Sequence, residues 1–382
     1  MKRPHLVVLS VSAGAGHVRA AAAVCAQAEA AGLRATHIDI MQRVPPWFRW
    51  LYADMYAALV KRAPLLWAWL YRAMNCAGQA GPLQRLRRVL ERHFSARWLA
   101  DVAALSPDAI LCTHFLPAEV LSRRADAKPR IDCPLFVHIT DFDVHAMWLQ
   151  PEPSVAGYFA GNAEVAFQLL QAGVAEQRVV VSGLAVMPAF RAIAPSPGLL
   201  AEYGFIYSRP TVLLMGGGGG VGALDAIAAQ LLDAAGGFQL LVLAGRNRAA
   251  LAALTAMAPA WPGRLAALGF TDQVAPLMAA CDIVITKPGG LTTAECLAVG
   301  VAVIVNAPIP GQEERNADYL LEHGAALKAV DAATLAWRLR CLLDDPARRR
   351  TMAQHARALG RPDAARHICD SIHSHLQGVS RC

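Results

Sequence analysis

Twelve short apolar runs, separated by helix-like stretches, constrain this chain more than any other feature. Six lie in the first half: His5–Val11, Ala35–Ile40, Ala109–Thr113, Pro134–Thr140, Ala156–Ala160 and Val179–Ser182. Six lie in the second: Thr211–Met215, Phe238–Ala244, Leu265–Leu268, Asp282–Thr286, Ala302–Asn306 and Ala325–Ala329. Short continuous apolar runs alternating with helical patterns are strands of parallel sheets covered on both faces. Two series predict two α/β domains. The length of 382 residues agrees, because single cores stop growing near ~250–300 residues. The stretch Ala194-Pro195-Ser196-Pro197-Gly198 reads as a linker. The expected division is an N-terminal domain over 1–193, a C-terminal domain over 199–360 and a helical tail over 361–382.

Hydrophobic residues make up 55% of the chain and charged residues 17%, which excludes disorder. No apolar run reaches the roughly 18 residues of a spanning helix. Met1-Lys2-Arg3 leads straight into a strand pattern, with no secretory signal. The nine cysteines contain no CxxC pair and read as reduced core residues of a cytoplasmic protein.

The segment of about 44–98 breaks the alternation. It carries Trp47, Trp50, Trp67 and Trp69, and from Arg43 to Arg97 there are ten Arg/Lys against only two acids, Asp54 and Glu91. That segment alone accounts for the chain's net charge of +7. Aromatics beside basic residues suit the headgroup zone of an anionic membrane surface. The alternative is a helical insertion with its aromatics in the core and its arginines solvated. No nucleic-acid-binding motif accompanies the segment, so no nucleic-acid partner is expected.

Three glycine-rich turns follow strands and precede helical patterns. The first, Ser12-Ala13-Gly14-Ala15-Gly16-His17, ends in a histidine and opens a helical pattern at Val18. Free backbone N–H groups at such a turn stabilise anions and developing negative charge. A histidine there suits proton abstraction, since a positive helix end disfavours its charged form. The second is Gly216 to Gly220, whose glycines would let backbone approach a diphosphate. The third runs from Thr286 to Glu295, with Thr292 or Thr293 as the expected helix cap and Glu295 in the first helical turn. Glu295 can complement the helix dipole or accept two hydrogen bonds from a ribose diol. A further proline-glycine turn carries Gln312, Glu313 and Asn316, side chains able to read sugar hydroxyls or to begin an ordinary helix. There is no GxxxxGK[ST], and Arg19 stands where a dinucleotide fingerprint would need its third glycine.

The order Gly289-Gly290-Leu291-Thr292-Thr293-Ala294-Glu295, then Pro310-Gly311-Gln312-Glu313-Glu314-Arg315-Asn316, resembles the nucleotide-sugar half of GT-B glycosyltransferases. The branch it resembles holds the monogalactosyldiacylglycerol synthases and processive diacylglycerol glucosyltransferases, with the peptidoglycan N-acetylglucosaminyltransferase as a more distant relative. In the first half the resemblance includes Ser12–His17, Thr113-His114-Phe115-Leu116-Pro117 and Thr140 to Trp148.

This resemblance implies two Rossmann-like doubly wound domains facing across a cleft. It implies a UDP-sugar donor, a diacylglycerol or other lipid acceptor, and no cofactor. Gly216, Gly217, Gly218 and Gly219 would approach the diphosphate, aided by Arg246, with Phe270 against uracil. Gly289, Gly290, Leu291 and Thr292 would hold phosphate, Glu295 the ribose, and Gln312, Glu313 and Asn316 the sugar. His17 would be the base, with Asp141 orienting or assisting it. Gly14, Gly16, His114, His145, Trp148 and the tryptophans Trp47, Trp50, Trp67 and Trp69 would form the acceptor and membrane side. Asp141-Phe142-Asp143 matches a DxD pattern but lies in the acceptor half, so no metal is expected. The implied activity is inverting transfer of a hexose to diacylglycerol by a cytoplasmic enzyme held peripherally at the inner face of the cell membrane. Transfer to another lipid-linked or soluble acceptor, or UDP-sugar binding without catalysis, are the alternatives.

Overall fold

The structure, a computed structural model, describes residues 3–12, 14–50, 59, 63–76, 94–123, 131–151, 153–191, 193, 197–216 and 223–379. The chain forms two compact units, 1–188 with 363–382, and 189–362.

All twelve apolar runs form strands. The first unit holds β1 (His5–Ser10), β2 (Arg34–Asp39), β3 (Ala109–Cys112), β4 (Leu135–His138), β5 (Gly157–Ala160) and β6 (Val179–Val181). They make one parallel sheet in the order β2-β1-β3-β4-β5-β6. The second unit holds β7 (Thr211–Met215), β8 (Gln239–Gly245), β9 (Leu265–Gly269), β10 (Ile283–Thr286), β11 (Ala302–Asn306) and β12 (Ala326–Ala329). Its sheet is also parallel, in the order β12-β11-β10-β7-β8-β9. Val, Ile and Leu on both faces of the central strands are buried, as helices on both sides require, while the edge strand β6 leaves Val181 exposed.

Each strand order reverses once, between β1 and β3 in the first sheet and between β7 and β10 in the second. Loops leaving adjacent strands diverge at such a point and open a crevice at the carboxyl ends, where ligands bind. Register sets Leu9 beside Cys112, so Ser10 and Thr113 leave the first sheet together. Register likewise sets Met215 beside Thr286, so Gly216 and Lys287 leave the second sheet together.

The helix Ala364–Val379 belongs to the first unit although it ends the chain. Its Cys369 Sγ donates to the Val24 carbonyl at 3.5 Å, and His375 packs edge-on against Phe136 at 5.3 Å. The tail thus braces the helix Ala15–Ala28 from behind. Of the expected linker, residues 194–196 lie outside the described residues.

Candidate active site

Helix starts divide into two kinds. Several scaffold helices carry a side-chain cap. Asn162 accepts from the Val165 amide at 2.7 Å, Asn247 from Ala250 at 3.0 Å, and Asp345 from Arg348 at 2.9 Å. The helices Ala15–Ala28 and Gly290–Val299 instead begin after Gly14 and Gly289, with no side-chain cap. Their first amides are the ones left for an anion.

Gly14 is extended and the helix begins at Ala15, three residues earlier than the sequence pattern suggests. His17 is therefore not the end of the loop but the third residue of the helix, with Gly16 in its first turn. Small residues explain the shift: alanine and glycine add no bulk to interrupt the turn, and the apolar periodicity starts only at Val18. Asp39, at the end of β2, fixes the loop by accepting from the Ser12 amide at 3.1 Å.

His17 is tied to the far side of the switch point. Its Nδ1–H donates to the Thr113 carbonyl oxygen at 2.8 Å, and Thr140 Oγ1 lies 2.9 Å from the same nitrogen. The Thr113 hydroxyl returns the contact, donating to the His17 carbonyl at 2.9 Å. A carbonyl can only accept, so Nδ1 carries the proton and Nε2 is the basic nitrogen of neutral His17. Burial pushes the His17 pKa down; the nearby Asp141 charge and the Thr113 bond push against that shift.

His114 lies edge-on to His17, with ring centroids 4.6 Å apart, and Phe115 and Trp148 complete the cluster. His114 has the opposite tautomer. Its Nδ1 accepts from the Leu116 amide at 3.0 Å, capping the helix Phe115–Ser122. Leu116 and Val120 of that helix line an apolar pocket with Ile40, Met41, Phe94 and Trp98. His138, on β4, accepts from the Ala185 amide at 3.1 Å, and burial pushes its pKa down to about 4.

His145 is engaged at both ring nitrogens, accepting from the Met147 amide at 3.2 Å and facing the Tyr71 carbonyl at 3.4 Å. Asn75 Oδ1 accepts from the Ala146 amide at 2.8 Å. The helix Pro64–Cys76 is thereby docked on the turn that carries Trp148, which is buried. Its Leu66 and Trp69 are exposed, as are Trp47 and Trp50 in the preceding segment, while Trp67 is half-buried beside Tyr71. Among the described residues no helix is long and apolar enough to cross a membrane. Asp143, the second acid of the DxD pattern, accepts from Gln168 Nε2 at 2.9 Å. Among the described residues no group of three or more His, Cys, Asp or Glu could hold a metal ion.

In the second unit Gly216 is buried at the end of β7, while Gly217, Gly218 and Gly219 lie outside the described residues. The turn after β10 corrects two expectations. Gly289, not a threonine, is the cap residue, so Thr292 and Thr293 fall inside the helix. Glu295 then falls in the second turn and is buried, which removes its reading as a first-turn dipole complement. Both corrections share one cause: the Gly-Gly pair lets the helix start directly after the strand exit. Leu291 and Thr293 are buried, and Thr292 is half-buried.

Arg246, after β8, places its guanidinium over the exposed ring of Phe270, after β9, at 4.9 Å. After β11 the backbone takes positive φ at Ala307 and Gly311. Glu313 Oε2 accepts from the Ile309 amide at 2.7 Å and Glu314 from Gly311 at 3.1 Å, so the acids of this turn hold its backbone. Gln312 is half-buried at the first position of the helix Gln312–Glu322, and Asn316 is fully buried. Sequence reasoning missed Thr140 and the backbone role of Thr113. The polar residue ending each apolar run was their only signal.

Residues 17–186 match the family described as monogalactosyldiacylglycerol (MGDG) synthase, and residues 228–359 match glycosyl transferases group 1. A processive diacylglycerol beta-glucosyltransferase of Bacillus pumilus is 30% identical over 269 residues, 70% of this chain and 68% of that protein. One from Bacillus cereus is 25% identical over 383 residues, 97% of this chain and 94% of the relative. Among solved structures, Acinetobacter baumannii MurG aligns with a TM-score of 0.63 at 18% identity, covering 97% of this chain and 99% of MurG. The Staphylococcus aureus MnaA–UDP structure aligns with a TM-score of 0.63 at 12% identity, covering 98% and 97%. The fold is that of the two-domain GT-B enzymes.

Proposed function

This chain belongs to the glycosyltransferase family of the MGDG synthases and processive diacylglycerol glucosyltransferases, and we propose that it transfers a hexose from a UDP-sugar to diacylglycerol with inversion. The observation that carries the reading is the fixed tautomer of His17. Its Nδ1–H is committed to the Thr113 carbonyl, which makes Nε2 a base at the mouth of the β1/β3 switch point.

In this reading the acceptor hydroxyl gives its proton to His17 Nε2 as its oxygen attacks the anomeric carbon, and the bond to UDP breaks on the opposite face. Charge growing on the leaving diphosphate is stabilised by the uncapped amides after Gly289 and by the backbone at Gly216, with Arg246 adding a cation. Asp141 stabilises the imidazolium that forms. Phe270 offers an exposed ring face to uracil, Glu295 takes the ribose and Gln312 reads the sugar. Glu313 and Asn316 shape the turn that presents it. No step requires a metal ion or cofactor.

Exposed Trp47, Trp50 and Trp69 with Arg49 and Arg72 support peripheral attachment to an anionic bilayer, at the cytoplasmic face of the cell membrane. The test is incubation of purified protein with labelled UDP-glucose, UDP-galactose, UDP-glucuronate or UDP-N-acetylglucosamine and diacylglycerol vesicles. Labelled glycolipid from one of these donors is expected. UDP binding with no lipid product from any donor would leave a binding protein of the same fold.

A further inference from the structure

His17 Nδ1 has two oxygen neighbours at nearly equal distance, the Thr113 carbonyl at 2.8 Å and Thr140 Oγ1 at 2.9 Å. A ring nitrogen carries at most one hydrogen. The carbonyl must accept it, so the Thr140 hydroxyl is the second acceptor of a shared Nδ1–H. Thr140 is buried just beyond the end of β4, and Thr113 just beyond the end of β3. Two neighbouring strands thus deliver both oxygens to one nitrogen.

This arrangement differs from a carboxylate-oriented histidine. The Nδ1 side meets two neutral oxygens, and the acid Asp141 acts through its charge. Neutral acceptors hold the tautomer without raising the pKa as strongly as a carboxylate would. When Nε2 takes a proton, the Nδ1–H becomes a stronger donor and both oxygens gain. The other titratable groups facing the ring are His114, edge-on from the start of its helix, and His138 on β4.

We propose that Thr140 is a positioning residue that, with the Thr113 carbonyl, locks His17 with its proton on Nδ1 and shares that proton when the ring becomes charged. The proposal rests on the reading of His17 as the base. Thr140→Val keeps the shape and removes the acceptor. It is expected to lower kcat about tenfold, the scale of one hydrogen bond to a charged group. KM for both substrates should stay within about twofold, because uniform binding is untouched. Losing an acceptor of the imidazolium makes the ring harder to protonate, so the acid limb of the kcat profile moves to lower pH. Thr140→Ser restores both features.

The direct readout is ¹⁵N NMR of the His17 ring, assigned by its loss in His17→Ala. Nδ1 protonated and Nε2 bare at neutral pH is the expected state, with a lower titration midpoint in Thr140→Val. A wild-type ring protonated at Nε2 overturns the proposal even if the valine variant does not fold. So does an unchanged midpoint in a folded Thr140→Val. Retained transfer by His17→Ala removes the base reading instead, leaving the NMR result to judge the tautomer lock.

Discussion

The Nδ1 of His17 lies 2.8 Å from the carbonyl oxygen of Thr113, a residue 96 positions away in the chain. That one contact joins the two loops of the first switch point and fixes which nitrogen of His17 is basic. Replacing His17 with alanine should lower kcat by about 10²–10⁴-fold, the usual range for a general base. UDP affinity should be unchanged in calorimetry, since every proposed donor contact lies in the second unit. The base must be neutral, and burial holds its pKa below the ordinary 6.5. The acid limb of the kcat–pH profile should therefore have its midpoint below 6.5, with activity lost as pH falls through it.

Stability should carry its own acid dependence through His138. The unfolded ring titrates near 6.5 and the folded one at about 4, where its nitrogen accepts the Ala185 amide. Between those values the unfolded state binds more protons, so stability is complete above 6.5 and is lost as pH falls toward 4. The loss from this group is about 3 kcal/mol, because each pH unit separating the folded and unfolded titrations contributes about 1.36 kcal/mol. Urea unfolding from pH 7 to pH 4 should show it, and His138→Gln, which retains an acceptor, should flatten the slope.

Two backbone positions in the second unit predict opposite changes. Gly300 caps the helix Gly290–Val299 with φ of 74°, and a Cβ there would lie 2.7 Å from Arg357 Cβ. Gly300→Ala should cost at least the ~1–2 kcal/mol of left-handed backbone, with more from the contact. Ala307 already sits at φ of 44°. Ala307→Gly should relieve strain and stabilise by up to about 1 kcal/mol, offset by the freedom glycine gains when unfolded. Chemical denaturation of both variants checks the signs.

The exposed tryptophans predict membrane behaviour. Replacing Trp47, Trp50 and Trp69 together with serine should abolish most flotation with anionic vesicles while leaving UDP binding intact. Arg49→Gln with Arg72→Gln should weaken flotation less and make it less sensitive to salt, since each cation near the surface contributes about 1 kcal/mol.

The central strands were legible because a buried parallel strand must be apolar on both faces; the polar edge strand β2, with Arg34 exposed and Thr36 and His37 half-buried, was legible only from its place in the alternation. Helix starts were harder. Glycine and alanine around Gly14 and Gly289 carry no periodic signal, so both helices begin before the side-chain pattern does. Glu295 was legible as a functional acid but not its second-turn, buried position. Thr140 was illegible because its partner is a ring nitrogen 123 residues away, contributed by another strand's loop. Asp143 and His145, read from a motif, proved to be tied to Gln168 and to the Tyr71 carbonyl, long-range contacts that no local spacing encodes, while His145 also caps its own turn at the Met147 amide.

The most direct measurement is the anomeric configuration of the lipid product made from α-linked UDP-glucose and diacylglycerol, read by proton NMR. Direct attack by a hydroxyl deprotonated at His17 inverts the centre, so a β-glucosyl diacylglycerol is expected. An α-linked product would contradict the account, as would a protein that binds UDP yet makes no glycolipid from UDP-glucose or from any of the other three donors.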